Sequence, residues 1–361
     1  MARCVLYMKI YANSNPQIQK GSRMETDITR RDLLKTFAAT GAGLALAGCA
    51  GVDGKHAGPA AAAAKEDRKK VMAAVSARAQ NTPVVWLQGQ SCSGCSVSVL
   101  NAAHPGIAEV LTDVINLEFH QTVMAGTGDV AMKMCAKALE QQKGEFVLVV
   151  EGSIPVGADG GYCRLGEENG KPVTFLEWTK RLGAAAKAVL SVGTCATFGG
   201  IPAGKPNPTE AKPFSAIMPD ATLINIPGCP AHPDWIVGAV AHVLLFGIPE
   251  LDDNKRPKMF FEKTLHERCE RRGYFDDGKM AKDYSDEGCL YDLGCKGPET
   301  HCDASIRSWN SKTNWCVQSG GPCIGCTEPS FPDHGNSGLY GSLGPARREE
   351  LIRQSKERAN V

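Results

Sequence analysis

The sequence predicts an α/β protein, a doubly wound parallel sheet followed by an irregular, cysteine-rich segment. Two observations carry this. From Thr82 onward short apolar runs alternate with amphipathic stretches, which is the pattern of strands linked by helical crossovers. After Pro249 the alternation stops, and the next hundred residues are glycine-rich and hold seven of the 15 cysteines. At 361 residues the chain is long enough for two domains with cores of their own. A formal net charge of +1, with no basic stripe, excludes a general nucleic-acid binder. The 39 glycines and 21 prolines place function in irregular backbone rather than in the regular elements.

Taken in order, the expected strands are 84–88, 113–118, 146–151, 188–192 and 223–226, and the expected helices 96–103, 129–142, 173–182 and 235–246. The expected domains are a sheet domain over 81–249 and a cysteine-rich domain over 250–345, with a polar tail over 346–361. Ahead of them, 1–49 reads as an export segment and 50–80 as an alanine-rich, then charged, linker.

The sequence Thr29-Arg30-Arg31-Asp32-Leu33-Leu34-Lys35 precedes an apolar run over 37–47, the arrangement of a bacterial twin-arginine signal. About eleven apolar residues are too few for a membrane-spanning helix of roughly 20. The segment is therefore a removable signal, and the mature protein is expected in the periplasm. The run closes on Leu46-Ala47-Gly48-Cys49, which resembles a lipoprotein box with Cys49 as the lipidated residue. A small-residue context for ordinary cleavage follows at 60–64, so both maturation routes stay open. Lipid on Cys49 is the one membrane attachment the sequence offers, because the C-terminus has no apolar run. The twin-arginine route carries folded proteins, so a metal centre built in the reducing cytoplasm can be exported complete. That favours metal ligation over disulfides for the cysteines.

On the predicted sheet, Cys92 and Cys95 of SCSGCS follow the first strand, Cys195 of VGTCATFGG the fourth and Cys229 of PGCPAHP the fifth. Parallel sheets bind ligands at the carboxyl ends of their strands, and all four thiols fall there. Four thiolates suit a 4Fe-4S cluster or a structural zinc. Zinc gives no reason for so large a frame, so iron-sulfur is the reading adopted. The glycine of the loop, Gly94, is expected to let backbone approach the metal closely. Glu151 of VEGSIP shares this edge, either as a proton carrier or partner contact or as a solvated loop carboxylate. Cys135 reads as a buried apolar residue and Cys163 as an unassigned loop thiol, while His104, His120 and His232 read as loop or capping residues.

In the irregular segment, His266 with Cys269, Cys289 and Cys295 makes one complete four-ligand set. Cys302, Cys316, Cys323 and Cys326 make another, the last pair repeating the C-x2-C spacing, and Cys295 and Cys302, only seven residues apart, leave open which of them serves which set. No C-x2-C-x2-C run occurs, so clusters here must be assembled from distant segments. Such a segment should have little core of its own and be organised by what it binds.

The motifs TRRDLLK, WLQGQSCSGCSVSVLN, VEGSIP, VGTCATFGG, PGCPAHP, LGCKGPETHC and PCIGCTEP, with the His266 and Cys269 pair, together resemble the small, electron-transferring subunit of nickel-iron hydrogenases. The resemblance implies a flavodoxin-like sheet domain and three iron-sulfur clusters. Cys92, Cys95, Cys195 and Cys229 would hold a proximal 4Fe-4S cluster. His266, Cys269, Cys289 and Cys295 would hold the distal 4Fe-4S cluster, and Cys302, Cys316, Cys323 and Cys326 the medial one. Common members have proline where this chain has Cys316 and build a medial 3Fe-4S centre. A fourth thiolate completes a 4Fe-4S cluster, as in the nickel-iron-selenium subgroup. Only without Cys316 as a ligand would the medial site be 3Fe-4S. The implied function is electron relay for H2 oxidation to protons and electrons, and the reverse. The implied partners are a large hydrogenase subunit with the nickel-iron site, bearing selenocysteine in that subgroup, and a multihaem c-type cytochrome as acceptor. Two competitors are a sheet-domain relative from quinone-reducing complexes, which would lack the cysteine-rich segment, and an exported zinc- or disulfide-stabilised binding lipoprotein.

Overall fold

The structure is a computed structural model, and it describes residues 82–359 apart from 104 and 336. The export segment 1–49 with Cys49, the linker 50–80 and His104 lie outside the described residues. Strands β1 (Thr82–Gln88), β2 (Ile115–His120), β3 (Val147–Glu151), β4 (Ala188–Val192) and β5 (Leu223–Ile226) form one wholly parallel sheet in the order β2-β1-β3-β4-β5. The order reverses between β1 and β3, so the switch point, where such sheets bind ligands, lies beyond Gln88 and Glu151. These two residues are in register with each other. β4 and β5 match the expected ranges. β2 starts two residues later than expected because a π-helical turn over Val110–Val114 takes up Asp113 and Val114.

Alternation along β1 sorts its side chains between two layers. Val85 and Leu87 face α2 (Gly128–Gln141) and α3 (Phe175–Ala185), among Cys135, Phe175, Trp178 and Leu182. Val84 and Trp86 face the core formed by α5 (Pro233–Phe246), among Trp235, Ile236 and Ala239. Each fully buried Val, Leu or Phe here is worth roughly 1.5–3 kcal/mol of transfer free energy. Between these lie α1 (Gly94–Val99), after β1, and α4 (Thr194–Phe198), after β4. α3 starts two residues later than expected because Lys171–Thr174 pairs with Arg164–Glu168 as a hairpin. Thr174 then caps it by accepting from the Glu177 N–H. α5 starts earlier than expected, with Pro233 at its first turn and His232 as its cap.

Beyond Pro249 the chain runs through short turns, among them Lys258–Phe261, His266–Arg268, Leu290–Leu293 and Gly297–Glu299. Phe260, Phe261, Leu265, Trp315 and Val317 belong to the same core as α5. Phe261 packs against Trp235 at 4.9 Å between ring centroids. A Cβ on Gly238 would sit 2.9 Å from the Phe260 ring, so the helix carries glycine where that ring crosses it. The segment thus borrows the core of the sheet layer. Among the described residues, the only core cluster confined to it is Phe275, Cys289 and Tyr291. The polar C-terminus forms α6 (Pro345–Ala359), which seats Leu351 and Ile352 on that small cluster and pairs Arg347 with Glu299 and Arg348 with Asp292. Among the described residues no helix is long and apolar enough to cross a membrane.

Candidate metal-cluster sites

The sheet-edge cysteines come together as expected. Cys95 is pushed well above the ordinary thiol value, first by burial and then by Glu151, Cys195 and Cys229 around it. Burial, then Cys229, with Cys92 behind, pushes Cys195 up to about 12. Cys92 and Cys229 are exposed in this isolated chain, so the set opens to the surface. The left-handed residue of the loop is Ser93 (φ 61), not Gly94, which opens α1 and whose role is to leave Cys92 Sγ room. The required glycine is Gly193, whose Cβ would stand 2.5 Å from Cys95 Sγ.

Glu151 is not a solvated loop carboxylate. It is 1 % exposed and receives Trp86 Nε1 (3.0 Å), Gln88 Nε2 (3.2 Å), the Cys95 N–H (3.0 Å), the Ser96 N–H (3.3 Å) and Ser96 Oγ. It satisfies the first N–H groups of α1 and so fixes the loop that carries Cys92 and Cys95. Ser96 Oγ lies 3.0 Å from Nε2 of His120, which is buried at the end of β2. His232 caps α5 as expected: its Nδ1 accepts from the Asp234 N–H.

In the cysteine-rich segment two further sets form. Burial and then Cys316, with Cys229 behind, push Cys326 up to about 12. Cys302 is raised by burial and then by Cys326, with Cys316 also contributing, and Cys323 by burial and then by Cys295, Cys302 and Cys326. Cys302 thus neighbours Cys326, Cys316 and Cys323, and Cys295, seven residues earlier, also neighbours Cys316 and Cys323. Cys289 is pushed up to about 12 by burial and next by Cys295 and Cys269, and Cys269 to about 11 by burial with Cys295 behind. His266 is beside them, its ring edge-on to Phe275 at 4.5 Å, in the cluster that contains Cys289.

The donor sets fit iron-sulfur clusters. The buried Nε2 of His266 has no hydrogen-bond partner, which is costly unless something ligates it. Burial, then Arg272, pulls this imidazole down to about 4, leaving its lone pair free at neutral pH. Backbone N–H groups of Arg271 and Gly325 approach Cys269 and Cys323 Sγ at 3.4 and 3.5 Å, the kind of contact that tunes cluster sulfur. Among the described residues, no three His, Cys, Asp or Glu side chains converge closely enough to hold a single metal ion. Cys135 is fully buried in the α2 and α3 layer, and Cys163 is half-buried against the same layer.

Fold and donor sets define the class: a flavodoxin-like α/β protein whose strand ends and C-terminal loops gather thiols for metal clusters. The family described as NiFe/NiFeSe hydrogenase small subunit, C-terminal, matches residues 261–338, and NADH ubiquinone oxidoreductase, 20 Kd subunit, matches residues 92–243. The chain is 44% identical over 286 residues to the periplasmic NiFeSe hydrogenase small subunit of Desulfomicrobium baculatum, covering 75% of this chain and 90% of the relative. It is 37% identical over 314 residues to the hydrogenase-2 small chain of Escherichia coli K12, covering 85% and 78%. Among solved structures, NiFeSe hydrogenase from Desulfovibrio vulgaris Hildenborough in the oxidized state aligns with TM-score 0.69 and 46% identity, over 73% of this chain and 98% of that one. The reduced, active Ni-Fe-Se hydrogenase from Desulfomicrobium baculatum aligns with the same TM-score at 44% identity, over 73% and 100%. The chain belongs to the NiFe/NiFeSe hydrogenase small-subunit family. The match over 261–338 also removes the quinone-complex competitor, which lacks that segment.

Sequence reasoning missed the salt-bridged supports beneath the ligands. Arg256, 3 % exposed, joins Asp252 (2.7 Å) and Glu328 (3.0 Å) under the PCIGCTEP turn. Asp303, next to Cys302, takes Trp235 Nε1 at 2.7 Å and Arg307 at 2.6 Å. The one sequence signal was the presence of charged residues inside otherwise apolar, glycine-rich motifs.

Proposed function

We propose that this chain holds three iron-sulfur clusters in a row: proximal on Cys92, Cys95, Cys195 and Cys229; medial on Cys302, Cys316, Cys323 and Cys326; distal on His266, Cys269, Cys289 and Cys295. When bound, these clusters supply one-electron carriers between the nickel-iron site of a large-subunit partner and an external acceptor, a multihaem c-type cytochrome. The observation that carries the reading is the succession of neighbouring thiols. Cys229 is beside Cys326, with the Cys229 N–H lowering the Cys326 pKa, and Cys316 and Cys323 are beside Cys295. No set is isolated from the next.

The chain's own residues set the ends of this row. At one end the exposed Cys92 and Cys229, with exposed Val97 and Leu100 at α1, offer an apolar rim for the large subunit. At the other, a cavity of about 370 Å³ lined by His266, Glu267, Arg272, His301 and Arg347 opens beside the distal set and suits an acceptor's approach. The neutral His266 replaces an anionic thiolate and makes that end the less negative one. Export by the twin-arginine route and residence in the periplasm, with lipidation of Cys49 as one of two maturation routes, complete the reading.

Spin-quantified electron paramagnetic resonance of the oxidised heterodimer tests it. The expected result is no stoichiometric 3Fe-4S signal, because Cys316 gives the medial set its fourth thiolate. A full-intensity 3Fe-4S signal overturns the all-4Fe-4S assignment.

A further inference from the structure

Lys296 is the anomaly of the cysteine-rich segment. It is 1 % exposed, and lysine is almost never fully buried unless paired. Its ammonium donates to Ser337 Oγ at 3.0 Å and to the Gly341 carbonyl, both of them neutral acceptors. The carboxylate in its surroundings, Glu299, is engaged by Arg347 at 3.0 Å, and no ion pair joins it to Lys296. Two neutral acceptors solvate a buried cation but do not neutralise it, and an uncompensated buried charge is costly. The groups that favour its charge are Glu299 first and then Cys295 and Cys323, one thiol from each set, which become anionic when they hold a cluster.

The same residue is fastened to both of the C-terminal sets. Lys296 follows Cys295 directly in the chain, and its N–H donates to the Cys323 carbonyl at 2.7 Å. Its carbonyl accepts from Thr300 Oγ1 at 2.7 Å, and Thr300 Oγ1 lies 3.5 Å from Cys323 Sγ. Gly325, between Cys323 and Cys326, has no side chain where a Cβ would come within 3.2 Å of Lys296 Cβ. The backbone of this lysine therefore ties the distal loop to the medial loop, and its side chain is held by the segment leading into α6.

We propose that Lys296 is a positioning residue for electron transfer, a fixed buried cation that serves as countercharge to the medial and distal ligand sets together and raises the reduction potentials of what they hold. The inference rests on the three-set reading above. A buried ammonium stabilises negative charge added to its neighbours on reduction, and it does so more strongly where water is excluded. The sheet-edge set has no such contact with Lys296 and serves as the internal reference.

The test uses the intact heterodimer with Lys296→Met, Lys296→Arg and the parent, compared by iron content and by redox titration followed by electron paramagnetic resonance. Lys296→Met is expected to lower the medial and distal midpoints by about a tenfold change in the reduction equilibrium, about 59 mV for a one-electron couple, while the proximal midpoint stays in place. Lys296→Arg is expected to keep the parent values. Loss of medial and distal iron in the Met variant with retention in the Arg variant also supports the proposal, because charge is then what the sets require. Unmoved midpoints in an iron-replete Met variant overturn it, as does iron loss in both variants, which indicates packing alone. A parent protein without medial and distal signals contradicts the three-set reading itself, an outcome distinct from any of these.

Discussion

The sheet edge and the cysteine-rich segment solve one problem, gathering four donors, in opposite ways. At the edge, Cys92, Cys95, Cys195 and Cys229 are carried by the ends of strands whose residues are buried in two helix-covered layers, and Glu151 fixes their loop through five donated hydrogen bonds. In the segment after Pro249 the donors stand on turns, and the apolar residues beneath them are shared with α5. The sheet edge belongs to a fold that exists for other reasons, whereas the two sets in the segment are expected to depend on their ligand for much of their order.

Removing the metal should break this contrast most severely. Stripping iron from the heterodimer is expected to abolish amide-exchange protection over 266–326 while β3 and β4 stay protected, as hydrogen exchange with mass spectrometry would record. Equal loss in both regions contradicts it. Next in size is Glu151→Gln, which sets an NH2 group either against the Cys95 and Ser96 N–H donors or against Trp86 and Gln88. It should cost about 3 kcal/mol of stability in denaturant titrations, as buried donors lose their acceptor. A change near zero would show that the loop is held by other means. Cys316→Pro should leave the fold in place, since Cys316 is exposed, but convert the medial site: a 3Fe-4S resonance appears and one iron per chain is lost.

The smallest effect concerns pH. Burial is the main cause that lowers the His232 pKa below its ordinary 6.5, while Asp234 and the Ser308 carbonyl oppose the shift. The unfolded chain therefore takes up this proton first, and the stability that the neutral cap contributes falls as pH drops below about 6.5. His232→Asn, which can also cap, should flatten that slope in thermal melts between pH 7 and 5. An unchanged slope would place the dependence on another group.

Much of the sheet was legible in the sequence because buried parallel strands read as short, continuous apolar runs such as Val147-Leu148-Val149-Val150. The strand-end cysteines followed from that frame. Less could be read where local pattern and tertiary context part. Glu151 follows an apolar strand and looks like the start of a solvated loop, and only the neighbouring Trp86 and α1 make it buried. Lys296 has a charged side chain in a glycine-rich motif, and nothing local says that the chain over 337–341 closes over it. The C-terminus was read as a polar tail, yet Pro345 at a helix start and the apolar pair Leu351 and Ile352 were enough to mark α6. Between Cys295 and Cys302, seven residues of spacing leave two pairings open, because Cys316 and Cys323 lie close to both.

The central claim, three donor sets each holding a four-sulfide cluster, is tested most directly by counting acid-labile sulfide in the purified heterodimer. About twelve sulfides per small subunit are expected, four for each set. About four, or none with zinc bound instead, would contradict it.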